Sequence, residues 1–155
     1  MKFRMVDRIL AWEPHRTIRG VKTVSFEEYE LRERLGHPPC LPESLILESL
    51  FQLANWLVIL STDYAQMCIG AQWDEARFLG PLLPGRRLHM EVAVSGWRDD
   101  GVIVEGTVSD GLQSNAAVRR CLTALLPLAD YYDPDDLRVL YSEIFRPEEE
   151  LQCRD

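Results

Sequence analysis

Between Leu45 and Leu60 the apolar side chains fall on nearly every face of a helix, so the usual stripe against a polar back is missing. The stretch from Pro42 to Asp63, PESLILESLFQLANWLVILSTD, therefore predicts a helix buried all round, which something else in the chain must wrap. Its one polar line is Glu48, Gln52 and Asn55, spaced i, i+4, i+7, three hydrogen-bonding side chains on a single face. On either side of this helix the pattern is that of strands. Residues 3–13 and 16–25 carry β-branched and aromatic side chains (Val6, Ile9, Trp12; Thr17, Ile18, Val21, Val24) and predict two strands joined across the Glu13-Pro14 break. Ser25, Glu27 and Glu28 predict a short helix near 26–35, and Gly36, Pro38, Pro39 and Pro42 forbid regular structure until the central helix begins.

Beyond Asp63 the spacing predicts a strand from Gln66 to about Phe78, a turn at Pro81–Gly85 and an alternating strand at 88–94. Asp99-Asp100-Gly101 and Asp110-Gly111 mark hairpin turns bounding strands at 102–109 and 112–127. Asp133-Pro134 then gives an N-cap and a first-turn proline. Leu137, Leu140, Tyr141, Ile144 and Phe145 form the stripe of a surface helix at about 134–146 that docks on something, and the last eight residues read as frayed. The sum is an α+β chain: an antiparallel sheet of about six strands around one long helix. Residues 1–127 form its body, and 128–155 an acidic tail belonging to the same single domain.

Composition narrows this picture. At 155 residues one core suffices. The first ten residues scatter their charge instead of leading into an apolar run, and Glu48, Gln52 and Asn55 interrupt the only long apolar stretch, so neither a signal peptide nor a membrane span is expected. Cys40, Cys68, Cys121 and Cys153 lack metal-site spacing and read as reduced cytoplasmic thiols. The net charge of −8 opposes nucleic-acid binding, but residues from Leu128 onward hold nine acidic and three basic groups, leaving the body nearly neutral. The arginine pairs Arg32 with Arg34, Arg86 with Arg87 and Arg119 with Arg120 could meet an acidic partner, or serve as ordinary solubilising charge.

Four segments carry a resemblance. They are Val6-Asp7-Arg8-Ile9; Val21-Lys22-Thr23-Val24-Ser25; Leu45-Ile46-Leu47-Glu48 with Gln52; and Asp74-Glu75-Ala76-Arg77-Phe78 with Pro81, Pro84 and Gly85. In this order they resemble the 3-hydroxyacyl-acyl-carrier-protein dehydratase family, over about residues 4–127. The resemblance implies a hotdog fold, a homodimer or larger even oligomer with active sites between protomers, and an apolar tunnel for an acyl chain. The substrate arrives on phosphopantetheine, carried by acyl carrier protein or coenzyme A, and no separate cofactor is implied. The family eliminates water, with a His taking the α-proton and a helix carboxylate protonating the leaving hydroxyl. Glu48 stands at that carboxylate position, among Leu45, Leu47 and Phe51.

The base is where the chain departs from the pattern. Counting fourteen residues back from Glu48, or twelve on from Lys22, lands on Arg34, whose guanidinium stays protonated and cannot act as a base. A register with a three-residue insertion and a compensating deletion instead brings His37 to the position, with Gly36 before it and prolines after it. The family's helix opens on a Gly whose N–H meets the thioester carbonyl. Here Glu43 stands there, with Ser44 next, and a carboxylate at that point opposes the charge that develops on the oxygen. Glu43, Ser44, Gln52 and Asn55 are the candidate substrate-binding residues, Gln52 and Asn55 doubling as hydrogen-bonders that hold Glu48 or the dimer seam. His15, after a turn proline, and His89, at a polar strand position, read as surface residues. The functional readings are a dehydratase using His37 and Glu48, a silent acyl-thioester-binding or partner subunit that has lost its base at Arg34, and, more weakly, a thioesterase.

Overall fold

The computed structural model describes residues 4–25 and 39–147. Six strands form: β1 Arg8–Glu13, β2 Thr17–Thr23, β3 Gln66–Phe78, β4 Arg87–Trp97, β5 Gly101–Ser109 and β6 Ser114–Pro127, with buried and exposed positions alternating most clearly in β4 and β5. Two helices join them, α1 Glu43–Ser61 and α2 Pro134–Ile144, with one 3-10 turn at Leu128–Asp130. The strands form one antiparallel sheet in the order β1-β2-β4-β5-β6-β3. Since β2 and β3 lie far apart in that order, the connection between them crosses the whole sheet. α1 is that connection. Its apolar residues Ile46, Leu50, Leu53, Leu57 and Val58 join Ile18, Met90, Val92, Val104 and Val118 of the strands in one core. This is the hotdog arrangement expected from the sequence.

The sheet is hollowed to receive the helix. At Gly20 of β2 an added Cβ would lie 2.8 Å from Leu53 Cδ1 and 2.9 Å from the Arg8 carbonyl oxygen. At Gly70 of β3 it would lie 2.6 Å from the Phe51 ring. Both positions therefore need the smallest residue so that α1 can sit close to the backbone of the sheet.

Three expectations need correction. α1 is not buried all round: Leu45, Leu47, Glu48, Phe51, Gln52 and Asn55 are half-buried, because the sheet covers one side of the helix and leaves the polar line facing a cavity. The helix is long and apolar enough to cross a membrane, yet half of it is buried within the fold. β1 and β2 are shorter than 3–13 and 16–25. The chain enters β1 through a bend at Asp7, whose Oδ2 accepts from the Thr23 N–H at 2.7 Å while Oδ1 lies 3.8 Å from the Lys22 ammonium. That clasp joins the first two family-like segments. β4 runs on to Trp97, past the predicted 94. The short helix predicted near 26–35 and the frayed residues from 148 onward lie outside the described residues.

Elsewhere the local chemistry follows expectation. Asp110 Oδ1 accepts from the amides of Leu112 and Gln113, and Gly111 turns at φ 84°. Those amides hold the Asp110 carboxyl below its ordinary range. Asp133 caps α2 by accepting from the Asp135 amide at 2.9 Å. Among the described residues every buried side-chain nitrogen and oxygen has a partner.

The seating of α1 can be tested at Gly20. Replacement by Ala should destabilise the fold by about 1–3 kcal/mol, because one of the colliding atoms is backbone. Urea unfolding should show a lower midpoint at unchanged slope.

Candidate active site

The chain reaches α1 along an anchored path. The Leu41 N–H donates to the Leu82 carbonyl at 2.8 Å, and both side chains are fully buried. Gly85, at φ 80°, donates its N–H to the Val24 carbonyl at 2.7 Å, so the Pro81–Gly85 turn holds both the end of β2 and the approach to the helix. α1 then starts at Pro42, which caps it with no side-chain hydrogen bond.

One face of α1 borders a cavity of about 620 Å³, within the range of small-molecule sites. The helix contributes Glu48, Phe51, Gln52, Asn55, Trp56 and Ile59. Facing them are Met67, Cys68, Ile69 and Gly70 of β3, together with Arg4 and Val6. The remaining wall is α2 and the residues before it, through Tyr132, Leu137, Leu140 and Ile144. Spacing placed Glu48, Gln52 and Asn55 on one face, and the structure brings all three to one cavity.

These three side chains are fixed by specific bonds. The Met5 N–H donates to Gln52 Oε1 at 2.8 Å, which leaves the Gln52 amide nitrogen to donate to Glu48 Oε1 at 2.7 Å. Asn55 Oδ1 accepts from the Cys68 N–H at 2.8 Å and so ties β3 to the helix. Gln52 and Asn55 thus hold structure while facing the cavity. Glu48 accepts the Gln52 bond on Oε1, so Oε2 is not the oxygen Gln52 engages.

Other candidates lie apart. Glu43 and Ser44 are exposed in the first turn of α1 and do not border this cavity. Arg34 and His37 fall outside the described residues. His15 is exposed, its ring edge-on to Trp97 at 4.5 Å, and His89 is exposed on β4; neither borders the cavity. Cys68 does border it, but burial pushes its thiol up to about 12 against the pull of a hydrogen bond with Thr123, so it stays protonated and a poor nucleophile at neutral pH. Among the described residues no His, Cys, Asp and Glu cluster is arranged to hold a metal ion.

The α2 wall escaped sequence reasoning. A helix docking through Leu137, Leu140 and Ile144 was expected, but a helical stripe does not say what it docks on.

The comparisons with known proteins agree with this fold. The model of the FabA-like domain matches residues 1–112. The chain belongs to that family. It is 32% identical over 123 residues to a 3-hydroxyacyl-[acyl-carrier-protein] dehydratase FabZ of Symbiobacterium thermophilum, covering 77% of this chain and 87% of the relative. A FabZ of an Anaeromyxobacter species is 35% identical over 118 residues, covering 68% and 74%. Among solved structures, smu.793 of Streptococcus mutans bound to acetyl CoA superposes with TM-score 0.62 at 16% identity, covering 77% of this chain and 88% of that one. The fluoroacetyl-CoA thioesterase FlK superposes with TM-score 0.64 at 8% identity, covering 83% and 97%. At such identities these two show the shared hotdog fold alone. α2 lies beyond the stretch matched by the FabA-like family model.

The raised thiol has a measurable consequence. Because the fold favours the neutral form, Cys68 contributes stability that is fully present below its ordinary value of 9.0 and is lost as pH climbs toward about 12. Unfolding free energy measured across that alkaline range should fall less steeply in Cys68→Ala than in the parent chain.

Proposed function

We propose that this FabA-like protein eliminates water from 3-hydroxyacyl thioesters in acyl-chain biosynthesis, with Glu48 as the general acid. The observation that carries the reading is the chain of hydrogen bonds from the Met5 amide through Gln52 to Glu48, which holds a single carboxyl over a largely apolar cavity. Dehydratase relatives at 32–35% identity support the reaction class.

In this reading the thioester carbonyl lies toward the start of α1, where the helix dipole and backbone amides favour the charge that builds on its oxygen. A base takes the proton from C2, its electrons form the C2=C3 double bond, and the C3–O bond breaks. The departing oxygen takes the proton from Glu48 Oε2 and leaves as water. Gln52 keeps the other carboxyl oxygen engaged as an acceptor, which aims Oε2 at the leaving group. His37 is the base, Glu43 and Ser44 lie outside the cavity at the start of α1, on the side from which the thioester arm would enter, and the reaction needs no cofactor beyond the pantetheine arm of its substrate.

The assembly we propose is a cytoplasmic homodimer. Among the described residues β3 is a sheet edge paired with β6 alone, and it carries Ile69, Trp73 and Phe78 exposed, apolar side chains and open backbone groups suited to a second copy. Acyl carrier protein is the proposed donor, with the exposed pairs Arg86–Arg87 and Arg119–Arg120 available to its acidic surface.

The ungapped register, which puts Arg34 where the family has its His, favours a second reading: an acyl-thioester-binding subunit without chemistry. Hydration of trans-2-enoyl thioesters, the reverse reaction, separates the two. Active protein should lose about 10²–10⁴-fold in kcat on Glu48→Gln and on His37→Ala, with substrate binding retained. Wild-type turnover no greater than that of Glu48→Gln, with acyl thioesters still bound, would establish the binding subunit instead.

A further inference from the structure

We infer that α2, an element outside the matched family model, closes the far end of the acyl cavity and sets the longest chain the protein accepts, with Leu140 as the limiting side chain. The inference rests on the cavity holding an acyl thioester and names what determines its specificity.

The cavity changes character along α1. At one end stand the polar groups of Glu48 and Gln52, with Arg4 on the same wall. Eleven residues further along the helix, a rise of about 16 Å, the wall is Trp56 and Ile59. Asn55, between them, turns its oxygen to the Cys68 amide. A ligand with a polar head and an apolar tail matches that gradient in one direction only, tail toward Ile59.

At the tail end the apolar cover comes from α2. This helix is held at three places. Arg138 reaches Asp63 at 3.2 Å and lies 4.1 Å from the centre of the Tyr64 ring, just past the end of α1. Tyr141 packs 6.1 Å from Trp56 and accepts a hydrogen bond from Trp12 Nε1 at 3.0 Å. Phe145 bridges Ile9, and the Arg146 N–H donates to the Ile9 carbonyl at 2.9 Å. So anchored, α2 turns Leu137, Leu140 and Ile144 into the cavity. Leu137 and Ile144 are 8% exposed and belong to the core, whereas Leu140 is only half-buried. Leu140 is therefore the wall residue whose bulk can change with least effect on folding.

The test measures binding of saturated acyl-CoA thioesters, from butyryl to palmitoyl, to the full chain by calorimetry, so that no turnover is needed. Leu140→Trp should weaken the longest acyl chain that wild type binds by about tenfold and leave butyryl-CoA within about twofold. Leu140→Ala should move the affinity optimum to longer chains, and because it only removes atoms it keeps the test open if the Trp variant misfolds. Val139→Ala, on the exposed side of α2, should leave the profile unchanged. A length profile identical in wild type and both Leu140 variants would overturn the role of α2 while leaving the dehydratase reading intact. Absence of binding at every chain length would overturn the α2 role, and the enoyl-hydration assay would decide the dehydratase reading separately. Shifted profiles in a protein without enoyl-hydrating activity would support the α2 role and reject only the proposed chemistry.

Discussion

Everything in this molecule depends on one helix lying close against one sheet, from β2 across to β3. Because β2 and β3 are separated by three strands, the chain must cross the sheet between them, and an extended crossing would bury backbone groups with no partners. A helix satisfies its own backbone, so the crossing is helical. An apolar helix can then be pressed onto the sheet wherever the sheet gives room. Gly20 and Gly70 give that room, and Leu53 and Phe51 take it. Close seating on one side has a consequence on the other. The opposite face of α1 is left to be covered by shorter and later pieces of chain, and the cover is incomplete.

That incomplete cover is the candidate site. Residues Arg4 to Val6, part of β3 and α2 each contribute a section of wall, and the polar line on α1 is satisfied by two of them. Gln52 spends its carbonyl on the Met5 amide, and Asn55 spends its own on Cys68. A buried polar group that lost such a partner would cost about 1–3 kcal/mol, so these amides stabilise the fold as well as facing the cavity. Glu48 is the exception in the row. It is bonded to Gln52, and no strand amide is tied to it among the hydrogen bonds that hold the line together. The same three residues thus divide into two that fasten the helix and one that is left with chemical freedom.

This division explains what could be read from the sequence. The i, i+4, i+7 spacing was sufficient to place Glu48, Gln52 and Asn55 on one face, since helical periodicity is a local property. Most strands were legible for the same reason, β5 by its alternation and the Asp110-Gly111 turn by its turn residues. The burial of α1 was over-read. Composition reports how apolar a helix is, but not how much of it the rest of one chain can reach, and Leu45, Leu47 and Phe51 remain half-covered. The strand ends were misjudged at Asp7, where the chain bends and a side-chain clasp on Thr23 accompanies a backbone bond from Asp7 to Val21. The partner of α2 was illegible because contacts such as Trp12 with Tyr141, 129 residues apart, leave no trace in any local pattern.

The two edges of the sheet show how the C-terminal addition fits with assembly. β1 and β3 are the terminal strands, and each presents unpaired backbone groups. Phe145 and Arg146 occupy part of the β1 edge, since the segment leaving α2 bridges Ile9. β3 receives no such strand among the described residues and keeps Ile69, Trp73 and Phe78 exposed. An appended helix that docked on β3 would have blocked the edge on which the proposed dimer depends. Docked at β1 and the end of α1, it protects the other edge and walls the cavity at once. In the proposed dimer, α2 could therefore alter what the cavity admits without touching the β3 edge, so that specificity and assembly would be set by different parts of one small fold.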